Sequence, residues 1–250
     1  MGALAVLTTH VAFYSGDYTR HGTWGAFLAR LDASLHAQLA FLRRRLEWHI
    51  LANHLQKNLH ALAVGGLYFA GDRAEGWRRR ALALLWRELA EQVLPDGGHF
   101  ERSPMYHAIA LGDFLELLAL LDACGEPVPE AARERVRRMA AAWARLSRPG
   151  GAPHLFNDAA EGIAPPGEEL AALAAVALGA VPAPPRGAWA LPETGFYGFR
   201  GEDGDRVIVD CGVPGPRYQP GHAHCDALSF ELDLAGRPVV VDSGTSGYDG

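Results

Sequence analysis

Hydrophobic side chains in the N-terminal part of the chain recur with the period of an α-helix. The clearest run is Leu28, Leu31, Leu35, Leu39 and Leu42, spaced three or four residues apart, which places them on one face of a helix. Further runs of this kind, separated by turn signals, predict helices over 49–70, 77–93, 104–121, 130–146 and 168–178. Successive helices joined by short loops predict an α/α array that is curved or closed into a toroid.

The period changes after a proline-rich segment. Pro182, Pro184 and Pro185 lie in the segment 181–190, which cannot continue a helix because proline lacks the amide donor and clashes with the preceding turn. Beyond this predicted linker, short β-branched or alternating runs predict strands at 196–199, 207–209, 228–234 and 239–241. Within 229–234 the alternation predicts one buried face and one face in water.

These two patterns predict an α+β, multidomain fold. We expect a helical, α/α-toroid-like domain over residues 1–180, the linker over 181–190, and the N-terminal part of an antiparallel β-sandwich over 191–250. So few strands would make a small sheet with an open edge. We therefore expect the sandwich to be truncated in this chain, which we interpret as a fragment of a longer protein.

The composition is that of an ordinary globular protein. The 250 residues include 23 basic and 29 acidic side chains, for a formal net charge of −6. No basic face or arm dominates, which argues against a nucleic-acid partner. A polyanionic ligand would have to be bound by a local basic site.

The cysteines and the N-terminus exclude several classes of protein. Cys124, Cys211 and Cys225 are scattered and form no CxxC pair, so we predict small buried side chains rather than disulfides or a thiolate zinc site. The apolar start lacks a basic region and a cleavage site, so no signal peptide is predicted. No segment reaches the roughly 18 apolar residues of a transmembrane helix, and the oligomeric state is not predictable.

Three segments concentrate polar groups that a simple hydrophobic core would not contain. In the first, Asn53 and His54 are adjacent in a predicted helix. They point about 100° apart, yet both can border one cleft at the helix end. Hydrogen-bonded structural roles for both side chains remain an alternative.

The second segment precedes the fourth predicted helix. His99, Glu101 and Arg102 lie in a glycine-rich turn, and we expect them to contact substrate. Ser103 is the expected N-cap, with proline at the first helical position. Because a helix N-terminus carries partial positive charge, it favours anions and is expected to lower the pKa of Tyr106 in the first turn.

The third segment lies in the predicted sheet. His222 and His224 are two residues apart and would face the same side of an extended strand. Asp242, at the end of the next strand, can reach the same place. Two imidazoles and a carboxylate form a plausible zinc set.

Together these segments resemble bacterial heparinase II/III-type polysaccharide lyases and related alginate lyases. The resemblance rests on the run 51–70 and on the blocks 95–107 and 221–246, and it covers most of the chain from about residue 46. It is most specific in the last block. It implies an α/α toroid followed by an antiparallel β-sandwich, with an anionic polysaccharide as substrate. It also implies a periplasmic location, although no export signal is visible. A role in bacterial surface polysaccharide metabolism and a role in scavenging are both left open.

The resemblance also assigns roles to individual residues. Asn53 and His54 would contact the substrate carboxylate, Tyr106 would be the catalytic tyrosine, and His222 the second proton-transfer group. His224 and Asp242 would be two ligands of a structural zinc ion. The third ligand of the family is a histidine downstream of residue 250, so the zinc site would be incomplete here.

A lyase of this kind must remove the C5 proton of a uronate and expel the 4-O-linked sugar. Hydrogen bonds to the neighbouring carboxylate, from Asn53 and His54, would stabilise the enolate-like charge that develops. Tyr106 can take the C5 proton as phenolate or protonate the leaving oxygen as phenol. His222 can supply the other step.

Three other functions compete with this interpretation. A metal-dependent cupin-like enzyme wants a glutamate shortly after the HxH pair, and Glu231 lies too far on. An α/α-toroid glycoside hydrolase needs two carboxylates, and Glu101 with Asp113 or Asp96 can be proposed. A non-catalytic carbohydrate-binding protein is the third.

Overall fold

A computed structural model describes residues 22–179, 183 and 186–245. Within them, six helices precede five strands, which confirms the predicted α+β order. The helices are α1 Gly22–Leu42, α2 Ala52–Tyr68, α3 Asp72–Gln92, α4 Pro104–Ala123, α5 Glu130–Leu146 and α6 Gly167–Leu178. The strands are β1 Gly187–Leu191, β2 Phe196–Arg200, β3 Arg206–Asp210, β4 Phe230–Leu234 and β5 Arg237–Val240. The chain divides into two compact units between Glu88 and Leu89, inside α3.

The first unit is built on close packing of α1 against α2. Leu39 of α1 is fully buried and lies so near Gly65 of α2 that a Cβ there would come within 2.4 Å of the leucine side chain. Tyr68 donates a hydrogen bond of 2.8 Å to Asp32. The absence of a side chain at Gly65 and one half-buried hydrogen bond therefore set the spacing of the two helices.

The second unit is centred on α4, which packs against α5 and α6. Of the helices in the described residues, α4 alone is long and apolar enough, by length and composition, to cross a membrane. Its apolar 18-residue stretch has a mean hydropathy of 1.3, and 72% of that stretch is buried inside the protein. Such burial is typical of the central helix of a domain, and the absence of a transmembrane segment stays a prediction. At its start, Ser103 is the N-cap as predicted and Pro104 follows it, but the serine hydroxyl makes no cap hydrogen bond.

The five strands form one antiparallel sheet in sequential order, β1 to β5. β1 begins at Gly187, so the last four residues of the predicted linker belong to the sheet. The linker's Pro182, Pro184 and Pro185 lie outside the described residues. The predicted domain boundaries and the second sheet of a sandwich stay predictions.

All three cysteines are exposed free thiols, and the prediction that they are buried is wrong. Each lies beyond the end of a regular element: Cys124 follows α4, and Cys211 and Cys225 lie in the segment between β3 and β4. Their burial could not be inferred from residue type because loop positions of this kind remain at the surface.

The sheet buries acidic rather than apolar side chains of β4. Glu231 and Asp233 are buried, whereas Phe230 and Leu234 on the opposite face are exposed. The predicted alternation is confirmed, but the buried set is the polar one. A buried carboxylate requires compensating partners, and Glu231 has several.

Glu231 is the centre of a buried ionic cluster. Its Oε2 accepts hydrogen bonds from Arg148 Nη2 at 2.6 Å and, when the ring nitrogen is protonated, from His154 Nδ1 at 2.6 Å. Its Oε1 accepts a bond of 2.8 Å from the Leu155 amide. Burial alone would raise the pKa of Glu231, but these partners outweigh it and lower the pKa. The cluster fastens β4 to the segment that follows α5.

Replacing Glu231 by glutamine should lower the free energy of unfolding by roughly 1–3 kcal/mol, because a buried arginine and histidine lose their anionic partner. Since the folded-state pKa of Glu231 is lowered, its stabilisation is present at neutral pH and is lost as the pH falls through that pKa. Urea denaturation at several pH values measures both effects. Glu202→Gln, which removes an exposed partner of Arg186, should change stability by less than about 0.5 kcal/mol. Equal stability of the two variants at neutral pH would contradict this account.

Candidate functional site

The structure brings Tyr106 and His222 into ring contact. Tyr106 lies in the first turn of α4, and His222 lies in the segment between β3 and β4. Their ring centroids are 3.8 Å apart with an interplanar angle of 34°. Residues that are 116 positions apart in the chain (222 − 106) thus form one polar pair at the end of a helix.

His222 is flanked by two buried carboxylates. Its Nδ1 lies 2.5 Å from Asp158 Oδ2, and its Nε2 lies 3.8 Å from Glu101 Oε1. The side chains of Asp158 and Glu101 are 4% and 0% exposed, compared with 15% for His222. The imidazole is therefore the one member of this trio that reaches solvent to an appreciable degree.

These neighbours raise the pKa of both ring groups. Burial lowers the pKa of His222, but the hydrogen bond to Asp158 and the charges of Glu101 and Asp158 outweigh it and leave the pKa above its ordinary value. Burial, followed by the charges of Asp158 and Glu101, raises the pKa of Tyr106. The prediction that the helix N-terminus lowers the Tyr106 pKa is wrong, because desolvation and two carboxylates exceed the effect of the helix.

Behind this pair lies a layer of buried histidines. His99 Nδ1 is 3.7 Å from Glu101 Oε2, and its Nε2 is 3.2 Å from Gln92 Oε1. The His99 amide donates to His107 Nδ1 at 3.2 Å, which leaves His107 Nε2 to donate to the Met139 carbonyl at 3.0 Å. Burial lowers the pKa of His99 well below its ordinary value and that of His107 to about 4. Both rings are therefore neutral near pH 7.

Two of the residues expected to contact substrate have structural partners instead. The His99 side chain is 0% exposed. The Arg102 guanidinium donates from Nε to the Thr194 carbonyl at 2.8 Å and from Nη2 to the Glu193 carbonyl at 3.1 Å. These contacts fasten the turn between β1 and β2 to the start of α4, and direct substrate contact by His99 and Arg102 stays a prediction.

Left-handed backbone conformations border the site. Arg102 has φ 60° and Asn157 has φ 57°, a region that costs a side-chain-bearing residue of order 1–3 kcal/mol. Asn157 Nδ2 donates to the Arg102 carbonyl at 3.0 Å, and the Asn157 amide donates to Asp226. The two strained residues are thus bonded to each other, and they immediately precede Ser103 and Asp158.

Asn53 and His54 belong to the first unit, in the first turn of α2. That helix begins at Ala52 rather than near residue 49, because Leu51 and Ala52 adopt φ of 66° and 48°. Asn53 Oδ1 is buried and accepts no hydrogen bond from the described residues. His54 is exposed, with Nδ1 3.6 Å from Glu47 Oε2. An unsatisfied amide next to strained backbone is consistent with a binding role.

The two predicted zinc ligands, His224 and Asp242, lie at or near the surface of the second unit. His224 is exposed, while Asp242 accepts hydrogen bonds from the Gly244 amide at 2.8 Å and from the Ser229 hydroxyl at 3.4 Å. Across 22–179, 183 and 186–245, no three His, Cys, Asp or Glu side chains are grouped to hold a metal ion. A structural zinc ion held by His224, Asp242 and a further ligand stays a prediction.

Asp158 was missed by the sequence reasoning. It lies in the loop between α5 and α6, in the run Phe156-Asn157-Asp158, with no spacing that links it to His222. The available signal was the pair of polar residues after an aromatic residue in a loop. Such a pair is also typical of an ordinary turn.

A difference titration tests the electrostatics of the site. The ultraviolet absorbance of tyrosinate, measured for the unmutated protein and for Tyr106→Phe, isolates the ionisation of Tyr106. Because burial and two carboxylates disfavour the phenolate, we expect a midpoint above the ordinary value of 10.0. A midpoint below that value would contradict the observed burial and charge arrangement.

Two models of the heparinase II/III family match successive parts of the chain. The Heparinase II/III N-terminus model matches residues 19–164, and the Heparinase II/III-like, C-terminal model matches residues 183–250. A heparin-sulfate lyase of Bacteroides stercoris is 27% identical over 226 residues, which cover 79% of this chain and 32% of that protein. FtsZ-localized protein C of Caulobacter vibrioides is 31% identical over 186 residues, which cover 74% of this chain and 31% of that protein.

The fold is shared with a solved structure of heparinase III. It matches with a TM-score of 0.77 and 21% identity, and the match covers 98% of this chain and 43% of that chain. This likeness supports the fold alone. The chain spans about a third of the length of the curated relatives it matches. Because the N-terminal family model alone matches 146 of the 250 residues (164 − 19 + 1), the chain belongs to the heparinase II/III family.

Proposed function

We propose that the protein is a polysaccharide lyase that cleaves a uronate-containing polysaccharide by β-elimination. The observation that carries this proposal is the contact between Tyr106 and His222, with centroids 3.8 Å apart. A phenol and an imidazole at one place provide an acid and a base within reach of the same sugar ring. The heparin-sulfate lyases among the relatives support the reaction class.

The reaction needs one proton to leave C5 and another to arrive at the glycosidic oxygen. In the proposed mechanism, His222 in its neutral form, which predominates only above its raised pKa, accepts the C5 proton at Nε2. The electron pair of the C5–H bond forms the C4–C5 double bond. The C4–O bond breaks, and Tyr106 donates its phenolic proton to the departing oxygen. The raised pKa of Tyr106 keeps it a phenol at neutral pH, which suits a proton donor.

The carboxylate of the substrate must be neutralised for the C5 proton to become acidic. We assign this role to Asn53 and His54, as the family resemblance implies. The amide of Asn53 and the exposed ring of His54 are donors suited to a carboxylate.

Hydrolysis is less well supported than elimination. A hydrolase would need two carboxylates at the scissile bond, but Asp96 bonds to the Thr194 amide and hydroxyl at 2.7 and 2.8 Å. Asp113 is a buried residue of α4, and the Glu101 side chain is 0% exposed. The three carboxylates proposed for hydrolysis are buried or bonded to the backbone, whereas Tyr106 and His222 are partly exposed.

A carbohydrate-binding protein without turnover is the second candidate. One relative, FtsZ-localized protein C, is named for its localisation rather than for a reaction. This candidate predicts retention of a uronate polymer with no new double bond. Affinity measured in parallel with product formation separates it from a lyase.

Tyr106→Phe and His222→Gln should each lower kcat/KM by about 10²–10⁴, because each removes one proton-transfer group. The ultraviolet absorbance of unsaturated uronate, followed with a panel of heparan-like, alginate-like and bacterial surface polysaccharides, measures the rate. Tyr197→Phe is the matched control, since Tyr197 is exposed on the sheet and should leave the rate unchanged. Full activity in Tyr106→Phe would refute the assignment.

A further inference from the structure

We propose that Asp158 is the positioning residue of His222. It binds Nδ1 of the ring, orients the imidazole and reserves Nε2 for the proton taken from the substrate. This inference rests on the proposed function, since it assigns the means by which that base is held. Asp158 itself does not contact the reacting atoms.

The geometry assigns the tautomer. Nδ1 of His222 is 2.5 Å from Asp158 Oδ2, and an ionised carboxylate can only accept, so the shared proton belongs to Nδ1 in neutral His222. Nε2 is then the nitrogen with a free lone pair. Glu101 Oε1, 3.8 Å from Nε2, is too distant to be its hydrogen-bond partner.

Asp158 is rigidly placed. Phe156, two residues earlier, is fully buried and packs on Phe196 with ring centroids 5.5 Å apart. The intervening Asn157 bonds through its amide to Asp226 and through its side chain to Arg102. The carboxylate therefore sits on a loop that is bonded both to the start of α4 and to the segment that carries His222.

This arrangement has the same parts as a base held by a buried carboxylate in hydrolytic triads. When Nε2 accepts the C5 proton, the ring gains a positive charge 2.5 Å from Asp158. Because that carboxylate is already oriented, the new charge is stabilised without reorganisation. The loss of Asp158 should thus affect the chemical step more than substrate binding.

The chain contains a second histidine–carboxylate pair, to which we assign no part in catalysis. His154 Nδ1 lies 2.6 Å from Glu231 Oε2, and both side chains are buried, at 4% and 3% exposed. Among the described residues, the ring of His154 contacts the ring of Phe156 and no tyrosine ring. Glu231→Gln removes the same kind of bond and is the control for a merely structural effect.

The test compares Asp158→Asn with Glu231→Gln in the full chain. We expect Asp158→Asn to lower kcat by about 10-fold or more, up to the 10²–10⁴ contributed by a positioned base, with KM changed by less than about threefold. Glu231→Gln should leave both constants near those of the unmutated protein. An unchanged kcat in Asp158→Asn, or an equal loss in both variants, would overturn the proposal.

A second measurement does not depend on turnover or on the folding of a variant. The ring-nitrogen chemical shifts of His222 in the unmutated protein report which nitrogen carries the proton in the neutral ring, with His222→Gln used for assignment. We expect the proton on Nδ1, and a proton on Nε2 would overturn the proposal. If no uronate polymer is cleaved by the unmutated protein, the proposed function fails, while the tautomer still decides whether Asp158 orients the ring.

Discussion

One imidazole held against a buried carboxylate organises the second unit. A carboxylate removed from water is costly unless it is paired and hydrogen-bonded, and Asp158, 4% exposed, is paired with His222 at 2.5 Å. Because Asp158 needs His222 as its partner, this contact joins the loop after α5 to the segment between β3 and β4. Since the ring of Tyr106 contacts the same imidazole, the start of α4 is held by the same residue.

The same physical device occurs twice with different consequences. His154 and Glu231 form a second buried pair, supported by Arg148, that fastens the sheet to the segment after α5. The difference lies in access and in neighbours, because His222 is 15% exposed and contacts a tyrosine, whereas His154 is 4% exposed. A histidine–carboxylate pair alone therefore does not mark a site. The proposed site has in addition partial exposure of the imidazole and a tyrosine in contact with it.

Periodicity was sufficient to predict the helices and most strands, because amphipathic helices and short β-branched runs are local properties of the chain. It failed where tertiary contacts decide the outcome. The strained backbone at Leu51 and Ala52 delays the start of α2, and the ionic partners of Glu231 bury the acidic face of β4. Neither effect can be read from the neighbouring residues in the sequence.

The candidate site was predictable only where its residues belong to local sequence motifs. Tyr106 and His222 belong to recognisable motifs, and the structure places them in contact. Asp158 is a single carboxylate in a loop, and its partner lies 64 positions away. Arg102 was predicted as a substrate contact from its place in the turn before α4, and its hydrogen bonds to the backbone carbonyls of the turn between β1 and β2 had no local signal.

The mass balance of cleavage of a defined uronate oligosaccharide tests the central claim most directly. Elimination moves protons within the substrate and adds no water, so the masses of the two products should sum to the mass of the substrate, with one product unsaturated. A sum larger by one water, with no double bond, would show hydrolysis and contradict the account.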